Sequence, residues 1–126
     1  MKPILIVDAA NVVGSVPDGW WRDRAGAARR LRDALTEVAE RGLPHIPGPF
    51  HVILVVEGAA TGTESTPTVQ VEPARGSGDD AIVELVGRHQ NEDVVVVTSD
   101  RGLRERVLAL GATTVGPRSL PYEGKR

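Results

Sequence analysis

Three short apolar runs in this 126-residue chain each end on or beside a carboxylate, and no other feature limits its fold so strongly. Pro3-Ile4-Leu5-Ile6-Val7 stops at Asp8, and His51 to Val56 stops at Glu57. Asp93 to Val97 runs on through Thr98-Ser99 to Asp100. Nearly continuous apolar runs of this length are strands covered on both faces, which points to a parallel sheet. Helical periods lie between them. Leu31, Leu35 and Val38 recur at helical spacing from Asp23 to Arg41, and Gly42 followed by Pro44 stops that run. Ile82, Val83 and Val86 mark one face from Asp79 to Arg88; Leu103, Val107 and Leu110 do so from Arg101 to Leu110, with Gly111 where a helix cap belongs. Thr113 to Val115 reads as a last strand and Thr68 to Val71 as a further short one. The alternation predicts one α/β domain over residues 1–126, doubly wound with right-handed crossovers, its sheet mostly parallel with helices on both faces. Gly42 to Pro49, Gly58 to Pro67 and Pro73 to Gly78 are predicted loops, and Pro117 to Arg126 a loose tail.

Composition narrows the function classes. Hydrophobic residues make up 40% and charged residues 25%, enough apolar content for a core and too much for a disordered chain. Four aromatics (Trp20, Trp21, Phe50, Tyr122) are too few for an aromatic stacking platform of the single-strand-binding kind, so the core is aliphatic. The absence of cysteine excludes disulfides, zinc-thiolate sites and thiol nucleophiles. No apolar run approaches the ~18–20 residues of a membrane span, and Asp8 cuts the first run too early for a signal-peptide core. A cytoplasmic protein with no membrane partner is expected. Charge is unevenly divided: residues 42–100 carry Arg75 and Arg88 against nine acids, while residues 20–41 and 101–126 are net positive. A dedicated high-affinity DNA binder is usually basic overall, whereas an acidic centre between basic flanks suits a metal-assisted site that handles phosphates. A mixed solvated surface accounts for the same distribution.

In an open parallel sheet, functional groups collect at the carboxyl ends of the strands, beside the point where strand order reverses. Asp8, Glu57 and Asp100 fall at that edge. Asp79 and Asp80 follow Gly76-Ser77-Gly78 at a helix start that faces the same edge, and Asp80 and Glu84 share a helix face. Carboxylates gathered this way repel one another unless protons or a cation compensate. Hard divalent ions take oxygen ligands, activate water and stabilise the charge of a phosphodiester under attack. Each acid also has a purely structural explanation. Asp8 and Asn11 can shape a turn or cap a helix, and Asp79 and Asp80 suit a helix N-terminus. Glu84 can pair with Arg88, and Ser99 or Asp100 can cap the last helix.

Together these residues resemble a known family. Ile4-Leu5-Ile6-Val7-Asp8-Ala9-Ala10-Asn11 resembles the opening strand and D-x-x-N motif of NYN domains, a branch of the PIN-like ribonuclease superfamily. Gly78-Asp79-Asp80-Ala81-Ile82-Val83-Glu84 resembles that family's second acidic segment, and Val97-Thr98-Ser99-Asp100 its third. Val55-Val56-Glu57 sits where relatives of the bacterial YacP type place an acid. The resemblance implies a Rossmann-like PIN fold with a sheet of four or five strands, Mg²⁺ or Mn²⁺ as cofactor, and hydrolysis of RNA. It implies Asp8, Asp80 and Asp100 as metal-site acids, with Asn11 orienting a ligand or water and Ser99 nearby. Glu57, Asp79 and Glu84 are further metal candidates, since doubling the acid at Asp79-Asp80 lets the pair share or exchange the role. Ala9 departs from the family, which often has Gly there.

Four more residues are candidates for holding substrate. Two adjacent tryptophans cannot both face a core from one helix, so one of Trp20 and Trp21 is free for base stacking or a protein contact, with Arg22 beside them. The alternative is a hydrophobic staple at the start of the helix. Arg101 and Arg104, three apart and close to Asp100, can clamp phosphate or simply form a solvated face. His45, His51 and His89 show no ligand spacing. Neither a P-loop nor a Gly-x-Ser-x-Gly elbow occurs. The expectation is a metal-dependent ribonuclease. The other reading is a catalytically idle PIN-like module that binds RNA or a protein partner, and a toxin-like nuclease is a third. A protein partner or homo-oligomer is left open.

Overall fold

The computed structural model of the chain describes residues 2–125. Strand β1 (Ile4–Asp8) is buried along its whole length and runs directly into the short helix α1 (Ala9–Gly14). A 3₁₀ turn (Trp20–Arg22) leads into α2 (Arg24–Arg41), whose first turn is capped by the Asp23 carboxylate accepting from the Gly26 N–H. Gly42 ends that helix at φ +87°, a left-handed geometry that glycine adopts without steric cost. The expected loop Gly42 to Pro49 holds a two-residue antiparallel pair, β2 (Gly42–Leu43) and β3 (Ile46–Pro47). Then follow β4 (His51–Val56), β5 (Val69–Pro73), α3 (Gly78–Arg88), β6 (Val94–Val97), α4 (Arg101–Ala109) and β7 (Thr113–Val115).

The main sheet has five strands in the order β5-β4-β1-β6-β7, and every neighbouring pair is parallel. β1 is central because its four aliphatic side chains alternate between two apolar layers. Leu5 and Val7 face α1 and α2 across Val12, Leu31, Leu35 and Val38. Ile4 and Ile6 face α3 and α4 across Ile82, Leu85, Val86, Leu103 and Val107. Strands clothed on both sides have no polar face to offer, which is why these runs carry so little polar character. Each fully buried Leu, Ile or Val contributes roughly 1.5–3 kcal/mol.

Two expectations need correction. A helix after β1 was not expected from the sequence, because α1 is a turn and a half long and too short to show a period. The last stretch is not a loose tail: Pro117–Ser119 forms a 3₁₀ turn, Leu120 is buried, and Tyr122 packs on the α2-side core. The Lys125 N–H donates to the Asp18 carboxylate at 2.8 Å. Four scarce apolar residues leave no readable pattern in this segment, yet two of them find the core. Arg126, the last residue of the expected tail, lies outside the described residues.

Candidate active site

Chain order places β4 and β5 on one side of β1, and β6 and β7 on the other, so strand order reverses beside β1. Loops leaving the two strands at such a point diverge and open a crevice. Asp8 stands there, at the carboxyl end of β1, only 4% exposed. One of its oxygens accepts from the Thr98 hydroxyl at 3.0 Å, and the other accepts from the Asn11 N–H at 3.4 Å, capping α1. Across the crevice, the Asn11 side-chain oxygen accepts from both the N–H (2.8 Å) and the hydroxyl (3.0 Å) of Ser99. These bonds tie the loop after β1 to the loop after β6. Asp100 caps α4 by accepting from the Leu103 N–H at 2.9 Å.

Two further acids approach from the other elements. Glu57, directly after β4, accepts from the Gly78 N–H at 3.2 Å, which fastens the start of α3 to the end of β4. A Cβ on Gly78 would stand 2.8 Å from a Glu57 oxygen, so a larger residue there would push the Glu57 carboxylate aside. Asp79, the next residue, is half-buried and faces the same group of charges.

Their mutual repulsion is visible in the ionisation. Burial pushes the Asp8 carboxyl up from its ordinary 3.8 to about 6; the bonds from Thr98 and Asn11 oppose this, while Asp79 and Glu57 add to it. Asp79 is raised too, by burial first and then by Asp100 and Glu57, with Arg106 opposing. Asp8, Glu57, Asp79 and Asp100 therefore form one electrostatic group.

Other expected residues lie elsewhere. Asp80 is turned outward and pairs with Arg106 at 3.0 Å, its side chain 75% exposed. The expectation put Asp80 foremost; the structure brings Asp79 to the carboxylate group instead, because consecutive helix positions point about 100° apart. Glu84 lies on the same outward face and pairs with Arg88 at 2.7 Å. Arg104 donates to the Thr114 hydroxyl at 3.2 Å, at the β7 edge, and Arg101 is exposed. Thr98, fully buried and bonded to Asp8, was not among the expected site residues. A lone hydroxyl closing a run of four valines was its only sequence signal. Arg106, placed to offset Asp79, had none.

Beside the carboxylates opens a pocket of about 340 Å³. Trp20 forms one wall, Ala9, Ala10, Ala28 and Ala60 line it with short side chains, and Arg24 and Glu57 border it. The Trp20 and Trp21 rings meet edge to face at 5.8 Å; the Arg24 guanidinium lies 5.3 Å from the Trp20 ring and that of Arg22 5.9 Å from the Trp21 ring. Trp21 is the exposed one of the pair, at 55%.

The donors at this edge are all oxygens, the ligand type preferred by Mg²⁺ and Mn²⁺. Among the described residues, no three Asp, Glu or His side chains are grouped closely enough to hold an ion between them. The fit is thus to a cation that takes one or two protein carboxylates and keeps its water, as Mg²⁺ does, and not to a closed protein cage.

No family model matches the chain. UPF0178 proteins from strains of Xanthomonas oryzae pv. oryzae are 38% identical to it over 91 residues, covering 60% of this chain and 54% of theirs. The chain spans about half the length of the curated relatives it matches. Rae1 (YacP) from Bacillus subtilis, in the crystal structure of its W164L mutant, aligns over 93% of this chain and 71% of its own, with a TM-score of 0.74 and 22% identity. The chain therefore has the α/β fold of Rae1 (YacP), a likeness of architecture that extends over nearly all of its length.

Proposed function

We propose that this chain hydrolyses RNA phosphodiester bonds with the help of a hard divalent cation, Mg²⁺ or Mn²⁺, held at the carboxyl edge of the sheet. One observation carries the reading: a buried Asp8 shares the crevice with Glu57, Asp79 and Asp100, and the group is short of positive charge. A fold gains no stability from such crowding. It is accounted for if a cation joins the group during function. The acidic motifs that resemble NYN domains and the fold shared with Rae1 (YacP) support the same reading.

In this scheme Asp8 and Asp79 are the ligands, and Glu57 and Asp100 would meet only the water that the ion keeps. Bound there, the cation supplies an activated water and offsets the charge that develops on the phosphate. Asn11 and Ser99 hold the two loops at a fixed spacing, and Thr98 holds the Asp8 carboxylate in one orientation. Asp80 and Glu84, both engaged by arginines on the outer face, have no direct part.

The second reading is a catalytically idle module that binds RNA or a protein, and the lack of a closed three-donor cage among the described residues favours it. Incubating a mixed pool of single-stranded and structured RNA with wild-type and Asp8→Asn protein, in Mn²⁺ or in EDTA, separates the two. Mn²⁺-dependent cleavage that Asp8→Asn abolishes supports the nuclease. Equal behaviour of the two proteins puts the binding module first.

A further inference from the structure

Of the cavities on this molecule, the one walled by Trp20 directly adjoins the carboxylate group. Ala9, one of its lining residues, follows Asp8 in the chain, and Glu57 belongs both to the pocket and to the charges that raise Asp8. An occupant of the pocket is therefore held within reach of the crevice where Asp8 stands.

The chemistry of the pocket narrows what that occupant is. Four alanines, Val13 and Gly58 line it with small, mostly apolar groups, and the Trp20 indole is its one aromatic wall. Apolar walls with a few polar groups at the rim are typical of sites for flat organic ligands, and about 340 Å³ lies at the small end of their range of roughly 300–1,000 Å³. Arg24, lying over the Trp20 ring, brings positive charge into the pocket lining beside Glu57, and Arg22 lies over the neighbouring Trp21 ring. Aromatic faces interleaved with guanidinium groups are how proteins hold unpaired bases and the phosphates that link them. A carboxylate at the rim, here Glu57, accepts from the N–H groups on a base edge. A duplex fits none of this, because its bases are already stacked and its width exceeds the slot.

Resting on the ribonuclease reading and deepening it, we infer that this pocket is a subsite for one unpaired nucleobase of single-stranded RNA. Trp20 stacks on the base, Arg24 meets the adjoining phosphate, and the strand continues across the carboxylate crevice. Selection for single strands is then built into the protein.

The chain has two tryptophans, so the Trp21→Phe protein keeps a single one, Trp20 in the pocket wall, which can be excited selectively over Tyr122. Titrating it in EDTA with an unstructured oligoribonucleotide, and with the same strand as a duplex, reads the subsite without cleavage. The expected result is quenching by the single strand and little by the duplex. Ala10 is exposed at the pocket mouth on α1, so Ala10→Leu fills the slot without disturbing the core. That substitution should weaken single-strand binding about ten-fold or more, the worth of one stacked base, with Tm unchanged. Duplex binding equal to single-strand binding, or Ala10→Leu binding as tightly as its parent, overturns the subsite, and so does no RNA binding at all. Cleavage that needs Mn²⁺ and Asp8 but keeps its KM in Ala10→Leu leaves the nuclease standing and removes the subsite. Pocket-dependent binding without any cleavage does the reverse.

Discussion

Asp8 concentrates the conflict in this molecule at one side chain. It caps α1, accepts from Thr98 and sits buried, yet its carboxyl is pushed up to about 6. In the unfolded chain the same group ionises near its ordinary 3.8, so between these values the folded protein holds the extra proton. Stability therefore falls as pH rises from about 4 through 6, and the shift corresponds to about 3 kcal/mol at most. Asp8→Asn removes that loss. An Asn oxygen can still accept from the Asn11 N–H, and its amide can donate to the Thr98 oxygen. The expected outcome is a Tm several degrees above wild type at pH 7.5 and no difference at pH 4, measured by calorimetry, with RNA cleavage abolished. A Tm sharply lowered at neutral pH would make Asp8 a structural residue. The neighbouring pair gives a second test at this scale. Asp79→Asn should reduce cleavage at least a hundred-fold, while Asp80→Asn, which loses only an exposed ion pair worth about 0–1 kcal/mol, should leave it within a few-fold. Parallel single-turnover assays decide this. Equal losses would mean that both acids serve the site. The acids themselves were legible in the sequence as strand-end carboxylates. Which of Asp79 and Asp80 faces inward was not, because one residue of helix phase sets the direction and nothing local marks it.

Among the elements, the site depends on where α3 begins. Ser77 caps the helix by accepting from the Asp80 N–H at 3.1 Å, and the Gly78 N–H bonds Glu57 at the end of β4. Gly78→Ala would put a Cβ against the far end of the Glu57 side chain, which can swing aside at small cost. We expect Gly78→Ala to change Tm little and to lower cleavage and Mn²⁺ affinity together, read by thermal shift with and without Mn²⁺. An unaffected Mn²⁺ response would remove Glu57 from the site. Ser77→Ala acts in the opposite sense. Losing the cap should lower stability by about 1 kcal/mol and leave Glu57 in place. Most element types were readable because three strands are continuous buried apolar runs and three helices of nine residues or more carry an apolar period. The short helix α1 and the β2–β3 pair were not, since their few residues carry no period and form only where the chain around them is already held.

At the level of the whole molecule, the last described segment is folded back onto the α2 side of the sheet. The 117–125 segment lies back along α2 and the 15–19 loop, with Leu120 buried, Tyr122 on the core and Lys125 bonded to Asp18. That loop leads straight to Trp20. Leu120→Ala should cost about 2–3 kcal/mol in chemical denaturation, as an interior leucine does. A loss below about 0.5 kcal/mol would mean that the segment is not part of the folded core. The sequence by itself determined the class of fold, the covering of the apolar strands on both faces and the collection of acids at one sheet edge. These follow from periodicity and from strand ends, which are local properties of the chain. Only the tertiary structure decided that Thr98 supports Asp8, that Arg106 draws Asp80 outward, that Trp20 walls a pocket beside Glu57, and that the final segment is packed. Each of these joins residues far apart in the sequence, and such contacts exist only once the crossovers have set the strand order.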